Sequence, residues 1–371
     1  MLGHFRGSFI CVIIGLCIAF WRGESIGASG VAFMLTTFAI SLLEVAISFD
    51  NAVVNAHKLE KMSMVWRRRF LTWGIFIAVF GMRFLFPVLI VAVFAHISLI
   101  DVVKIAFANP DEYVKHLHET HAAIVTFGGM FLLMLFLKFF IDKKKKDHWM
   151  VPLEKPLTKL AKVKFVNELI ALAVLGVLVY FLPEHERRVC ALSGFVGIVL
   201  FLAIDSLSHY LESKHVGEGA VQLTGTAGFA MFMYLELIDA SFSLDGVLGA
   251  FAFTKDIVVI IVGLGVGAMF VRSLTLVLVD KHTLSKMRYI TNGAYWAIGA
   301  LALVMLRSAV EEVPEAIAAS LSIGIIVVSV IHSVILNKRA LKYGGAAVSP
   351  KGGASKICKP LFCCVFCNMS F

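Results

Sequence analysis

The chain has 371 residues and a formal net charge of +9, and only 16% of its residues are charged while 59% are hydrophobic. Soluble proteins run at about 25% charged and 45–50% apolar. The composition therefore excludes a disordered chain and a soluble enzyme, whose surface here would be one large apolar patch.

A bilayer core takes about 20 apolar residues per helix. In chain order the apolar runs predict spans at 9–21, 31–56, 72–98, 122–141, 166–182, 190–210, 226–252, 257–279, 291–308 and 317–336. The fold expected is all-α and polytopic, with about 9–10 transmembrane helices. The first run begins like a signal peptide, but Phe20-Trp21-Arg22 follows where a small-residue cleavage site would stand, so a retained helix is expected.

Lys and Arg favour the cytoplasmic side. With the N-terminus inside, 24 of the 34 bases fall on the inner side, 6 on the outer side and 4 within spans. That bias sets both termini in the cytoplasm and removes nucleic acid as a partner. The block Lys143-Lys144-Lys145-Lys146, with Lys155, Lys159, Lys162 and Lys164, reads as a topology determinant in a cytoplasmic loop.

Two stretches resemble each other. Leu43-Glu44-Val45-Ala46-Ile47-Ser48-Phe49-Asp50-Asn51-Ala52-Val53 matches Ile238-Asp239-Ala240-Ser241-Phe242-Ser243-Leu244-Asp245-Gly246-Val247. Glu44 pairs with Asp239, Ser48 with Ser243, and Asp50 with Asp245. About 30 residues after each motif comes an intramembrane arginine, Arg83 and then Arg272. The acidic spans are the second and seventh, so they run in opposite directions. This is the pattern of an inverted-topology repeat, with a site near the midplane at the repeat interface. The division expected is a first repeat with its basic loop over 1–165, a second repeat over 166–336, and a basic, Cys-rich cytoplasmic tail over 337–371.

Carboxylates inside a span cost about 2.5–3.5 kcal/mol each on insertion scales. Glu44, Asp50, Asp205, Glu236, Asp239 and Asp245 therefore require partners, water or a cation. At about 100° per residue, Glu44, Ser48, Asn51 and Asn55 share one helical face, as do Glu236, Asp239, Ser243 and Gly246. Asp50 and Asp245 fall off those faces unless the helix breaks between the two acids of each motif. Ser48, Ser243, Gly246 and Gly249 make such breaks plausible, and transporters tolerate them where they line a cavity. All-oxygen donor sets suit hard divalent cations. Arg83, Arg272, Arg307 and Lys138 are the bases available inside spans, too few to pair every acid. Arg83 and Arg272 are read as charge partners or gate elements.

Glu44 to Val53, followed by Trp66-Arg67-Arg68-Arg69 and Thr72-Trp73-Gly74, resembles the first motif of the TerC family, named for tellurium resistance. Asp239 to Asp245 with Phe251-Ala252-Phe253-Thr254 is similar to its second motif. Within that family the chain looks like the DUF475 branch. The resemblance implies export of a metal ion, with several members regarded as manganese exporters. It passes the ion-binding role to Glu44, Asp50, Asn51, Asp239 and Asp245. The second motif departs from the family's Asp-Ser-apolar-Pro-Ala, reading Asp245-Gly246-Val247-Leu248-Gly249.

The expected function is secondary export of a divalent cation, Mn²⁺ favoured, across a bacterial inner membrane, with protons as counter-ion and no resident cofactor. The alternatives are a non-transporting membrane component of a tellurite or metal stress complex, and an exporter of a small organic solute. No Walker A, Ser/His/Asp or HExxH pattern stands out, so no enzyme is expected. His116, His118, Glu119 and His121 in an outer loop, Glu311 and Glu312 in another, and the cluster Cys358, Cys363, Cys364 and Cys367 are weaker signals.

Overall fold

The computed structural model describes residues 2–60, 62–94, 97–143, 145, 147–215, 223–251, 253–280, 287–311 and 313–342. Its elements are α1 (Leu2–Ser25), α2 (Gly30–Ile47), α3 (Phe49–Leu59), α4 (Met64–Phe76), a π-helical segment (Ile77–Leu85), α5 (Phe86–Phe94), α6 (Leu99–Ala108) and α7 (Pro110–Phe140). They continue as α8 (Val151–Leu160), α9 (Val166–Phe181), α10 (Glu184–His215), α11 (Gly225–Phe251), α12 (Ile257–Asp280), α13 (Ile290–Ser308) and α14 (Glu315–Lys342). No strand occurs among the described residues, only an isolated bridge between Met62 and Leu223. The chain is an all-α polytopic membrane protein.

Among the described residues, seven helices are long and apolar enough to cross a bilayer: α1, α2, α7, α10, α12, α13 and α14. The ten expected spans map onto helical chain, but three fall short of that standard for physical reasons. The 16 residues of α9 are apolar but short. The span expected at 72–98 is assembled from α4, the π-helical segment and α5. The 27-residue α11 carries Glu236, Asp239 and Asp245.

Local chemistry sets the boundaries. Ser29 caps α2 by accepting from the Ala32 amide at 3.3 Å. Ser98 does the same for α6 through Asp101 N, and Pro110 opens α7 where its missing N–H costs nothing. The end of α3 is closed from outside the helix. Arg67 Nε donates to the carbonyls of Leu59 and Met62 at 3.0 Å, and its Nη2 donates to Glu60 O at 2.8 Å. The adjacent Ser63 N donates to Leu223 O at 3.0 Å, which ties this corner to the start of α11.

The main core forms around α7, whose central turns are buried on all sides. It packs against α10 and α13, with α11 and α9 adding contacts. On the opposite side α12 lies against α1 and α2, while α11 packs on the π-helical segment. The motif helix of each half is thus paired with the arginine-bearing helix of the other.

Candidate functional site

The first motif is broken where its acids require it. Ser48 lies between α2 and α3 with φ −92° and ψ 13°, in the bridge region between helix and strand conformations. Its side chain does not cap α3. Ser48 Oγ instead donates to Glu44 Oε1 at 2.7 Å. Asp50 occupies the first turn of α3, and its Oδ1 accepts from the Asn51 amide at 2.9 Å. A carboxylate is favoured there by the positive end of the helix dipole. Most of α3 is buried, including Asp50, Asn51 and Asn55.

The second motif folds differently. α11 runs unbroken from Gly225 to Phe251, so the break expected near Gly246 and Gly249 does not occur. Gly246 serves close approach instead. A Cβ placed there would come within 2.6 Å of Glu44 Oε2, and one at Gly267 on α12 within 2.6 Å of Glu44 Cγ. The two glycines let α11 and α12 close around the Glu44 carboxyl group. Ser243 and Asp245 lie on α11, but the side chains of 241–245 are outside the described residues.

Two arginines bind the acids together. Arg83, buried on the π-helical segment, pairs with Glu44 through Nη2. Its Nη1 donates to Ala78 O at 2.6 Å and lies 3.9 Å from Asp239 Oδ2. Arg272 on α12 donates through Nη2 to Glu236 Oε1 at 3.1 Å and to Gly74 O at 3.1 Å. Its Nη1 donates to Phe70 O at 3.0 Å, and the guanidinium carbon sits 3.8 Å from the centre of the Phe70 ring. Asp239 joins the two arms. Its Oδ1 accepts from Asn51 Nδ2 at 2.6 Å, and its Oδ2 lies 3.7 Å from Arg272 Nη2.

The site therefore holds four buried carboxylates, Glu44, Asp50, Glu236 and Asp239, against two buried guanidinium groups. The formal excess is negative even with Asp245 left aside. Removing charges from water is expensive and is compensated only by close partners. Buried polar atoms normally find hydrogen bonds, yet Asn51 Oδ1, Asn55 Oδ1 and Asp239 Oδ2 have none here. Three acceptor oxygens thus lack hydrogen-bond donors beside an excess of buried carboxylate charge. Among the described residues, however, no three acid, His or Cys side chains converge as metal ligands. Of the acids named from sequence, Glu44, Glu236 and Asp239 are brought together through Arg83, Arg272 and Asn51 rather than around one point, while Asp50 accepts from the Asn51 amide.

Other sequence expectations resolve locally. Asp205 lies outside the cluster and pairs with Lys138. Arg307, counted among the intramembrane bases, is half-exposed and pairs with Glu311. The segment with His116, His118, Glu119 and His121 is the start of α7, not a loop, and His116 Nδ1 is 3.1 Å from Glu119 Oε2. Glu312 and the cysteine cluster of the tail fall outside the described residues.

The loop between the halves is more ordered than a solvated topology signal requires. Glu154 is fully buried and accepts from the amides of Trp149 and Met150 and from Trp296 Nε1 at 3.1 Å. Lys145 lies 3.5 Å from Glu154 and over the Phe139 and Phe140 rings. Burial lowers its pKa to about 8, against the opposing effect of Glu154. The signal in the sequence was His148-Trp149 within a charged stretch, apolar rings that have to be buried somewhere.

Comparison with known proteins gives one family and a similar protein named as a membrane protein. The family model described as "Protein of unknown function (DUF475)" matches residues 49–340. The "Uncharacterized membrane protein YceF" of Bacillus subtilis (strain 168) is 28% identical over 179 residues, covering 39% of this chain and 68% of that protein. No solved structure matches.

Proposed function

The chain belongs to the DUF475 family of membrane proteins, and from that premise we propose that it is a secondary transporter exporting a divalent cation, Mn²⁺ favoured. The observation that carries the reading is the buried acid excess around a broken helix. Glu44 and Asp239 flank Arg83, Asn51 donates to Asp239 across the two motif arms, and Asp50 and Asn55 are buried on the same helix as Asn51. Hydrated surface acids could be structural ornaments, but unneutralised acids inside a bundle mark ion pathways. The resemblance of both motifs to the TerC family points to the same cargo, and Asp245 completes the proposed set.

In the proposed cycle the two motif arms expose the site alternately to either face. The donors are oxygens of a flexible, mixed set, which fits Mn²⁺ or Ca²⁺ better than a soft metal. Carboxylates that release a cation take up protons, so exchange for protons is the coupling we favour. By the count of basic residues, the corner sealed by Arg67 and Leu223 faces the cytoplasm, in a bacterial inner membrane.

A second reading has its own support. Glu44 with Arg83 and Glu236 with Arg272 form the pairs of a non-transporting component. Purified protein in liposomes separates the two. Transport predicts Mn²⁺ flux that Asp50→Asn and Asp245→Asn each abolish without loss of membrane insertion. Absence of flux from the native protein, with unchanged cellular Mn²⁺ after deletion, leaves the structural reading.

A further inference from the structure

The two buried arginines are held very differently. Arg272 satisfies four acceptors on two neighbouring helices, the Glu236 carboxylate and the carbonyls of Phe70 and Gly74, and stacks on Phe70. A Cβ at Gly74 would come within 2.5 Å of Arg272 Nη1 and 2.6 Å of Glu236 Oε1, so α4 is shaped around this pair. Arg83 has Glu44 and one carbonyl of its own segment, and its Nε has no hydrogen-bond partner. It stands on nine residues of π-helix. π-Helix is rare, appears mostly as single-turn bulges, and is frequent at functional sites. Beside Arg83 is a void of about 10 Å³ lined also by Phe84, Tyr113 and Val247 and otherwise by apolar side chains. That is about the room of one water-sized probe.

We propose that Arg83 is a tethered stand-in for the transported cation. Resting on the transport reading above, the inference names what occupies the acids between cargoes. The Arg83 guanidinium sits between Glu44 and Asp239, where a divalent cation would use the same oxygens. Cation and guanidinium exclude each other there by charge and by space. The incoming cation takes Glu44 and Asp239, and Arg83 moves toward Tyr113. The π-helical segment absorbs the movement by returning its wide turns to α-geometry. Arg272 stays in place. The empty carrier thus never leaves Glu44 as an unpaired buried charge, and each release of cargo is matched by return of the arginine.

The test is Mn²⁺ binding to the purified full chain in detergent, read from loss of the free-ion electron paramagnetic resonance signal. Arg83→Gln should bind Mn²⁺ at least tenfold more tightly than the native protein and transport it more slowly in liposomes. Arg272→Gln should not gain affinity. Equal or weaker binding by Arg83→Gln overturns the inference while native Mn²⁺ flux leaves the transport reading standing. If neither native protein nor Arg83→Gln binds Mn²⁺, both readings fall. Should Arg83→Gln not fold, hydrogen exchange on the native protein decides. Added Mn²⁺ should change exchange across residues 77–85 and leave 257–280 unchanged, and no change at 77–85 overturns the proposal.

Discussion

The two motif arms share an acid-to-acid spacing of six with a serine between the acids, and end in different structures. The first breaks at Ser48 and sets its arginine on a π-helical segment, whereas the second is one straight helix with its arginine on a regular α-helix. Local chemistry accounts for much of the difference. After Ser48 come Asp50 and Asn51, and the Asp50 carboxylate accepts the Asn51 amide to start a new helix. After Ser243 comes Asp245-Gly246, where no amide side chain follows the acid. The lesson is that a repeated acid spacing fixes where charges meet but not how the backbone carries them. One arm supplies irregular backbone and the other a rigid wall.

The largest effect should follow from Arg272→Gln, which attacks the rigid side. It leaves Glu236 buried without its partner and frees the carbonyls of Phe70 and Gly74. Breaking a buried pair by removing one member costs about 3–5 kcal/mol. Thermal unfolding in detergent should show a loss of that order, and a larger one than Arg83→Gln gives. Equal losses from the two substitutions would erase the distinction between a structural and a mobile arginine.

Gly246→Ala probes the contact between the arms. The added methyl must displace the Glu44 carboxylate, which the Arg83 pair and Ser48 hold in place. Overpacking of this kind costs about 1–3 kcal/mol. Transport should fall about tenfold or more, because the displaced group is the proposed ligand. Gly176→Ala, with open space around its Cβ, is the matched control and should leave both readouts unchanged.

Much of this was legible in the sequence. Hydropathy gives the helices, and the acid-to-acid spacing with its following arginine picks out Glu44, Asp239, Arg83 and Arg272 as one cluster. On α11, Glu236, Asp239 and Gly246 all meet partners in the cluster, whereas the single face expected for Glu44, Ser48, Asn51 and Asn55 is interrupted at Ser48, which leaves Asn51 and Asn55 on α3. The π-helix was not legible. Ile77-Ala78-Val79-Phe80-Gly81-Met82 is an ordinary apolar run, and nothing in it marks a widened helix. Nor could spacing separate Asp205 from the site, because its pairing with Lys138 brings together helices far apart in the chain, whereas the Arg307–Glu311 pair is a local contact four residues apart.

Ser48→Ala is the gentler test of the broken arm. It removes one hydrogen bond to a buried carboxylate, worth about 1.5–3 kcal/mol when the acceptor is charged. The methyl fits where the hydroxyl was, and alanine favours helix. The break should therefore be less well defined, and transport should drop several-fold with the fold intact. Ser243→Ala, on the arm that needs no break, should cost less transport. A larger loss from Ser243→Ala would reverse the roles assigned to the two arms.

The smallest effect lies in the loop that joins the halves. Lys145 has a pKa of about 8, below the ordinary lysine value, because burial against Phe139 and Phe140 outweighs the attraction of Glu154. Above about pH 8 the folded protein holds fewer protons at this site than the unfolded chain, so stability rises with pH until lysine also titrates in the unfolded state. Between pH 7 and 9 the docked loop should become more stable, by an amount reduced by the solvent that reaches the side chain. The fluorescence of Trp149 and Trp296 during thermal unfolding follows this directly. Lys145→Met keeps the apolar stem over the two rings and removes the proton, so its unfolding should lose the pH 7–9 rise. If the rise persists in Lys145→Met, the titrating group is elsewhere, and the contrast between a broken first arm and an unbroken second one is unaffected, since this loop belongs to neither.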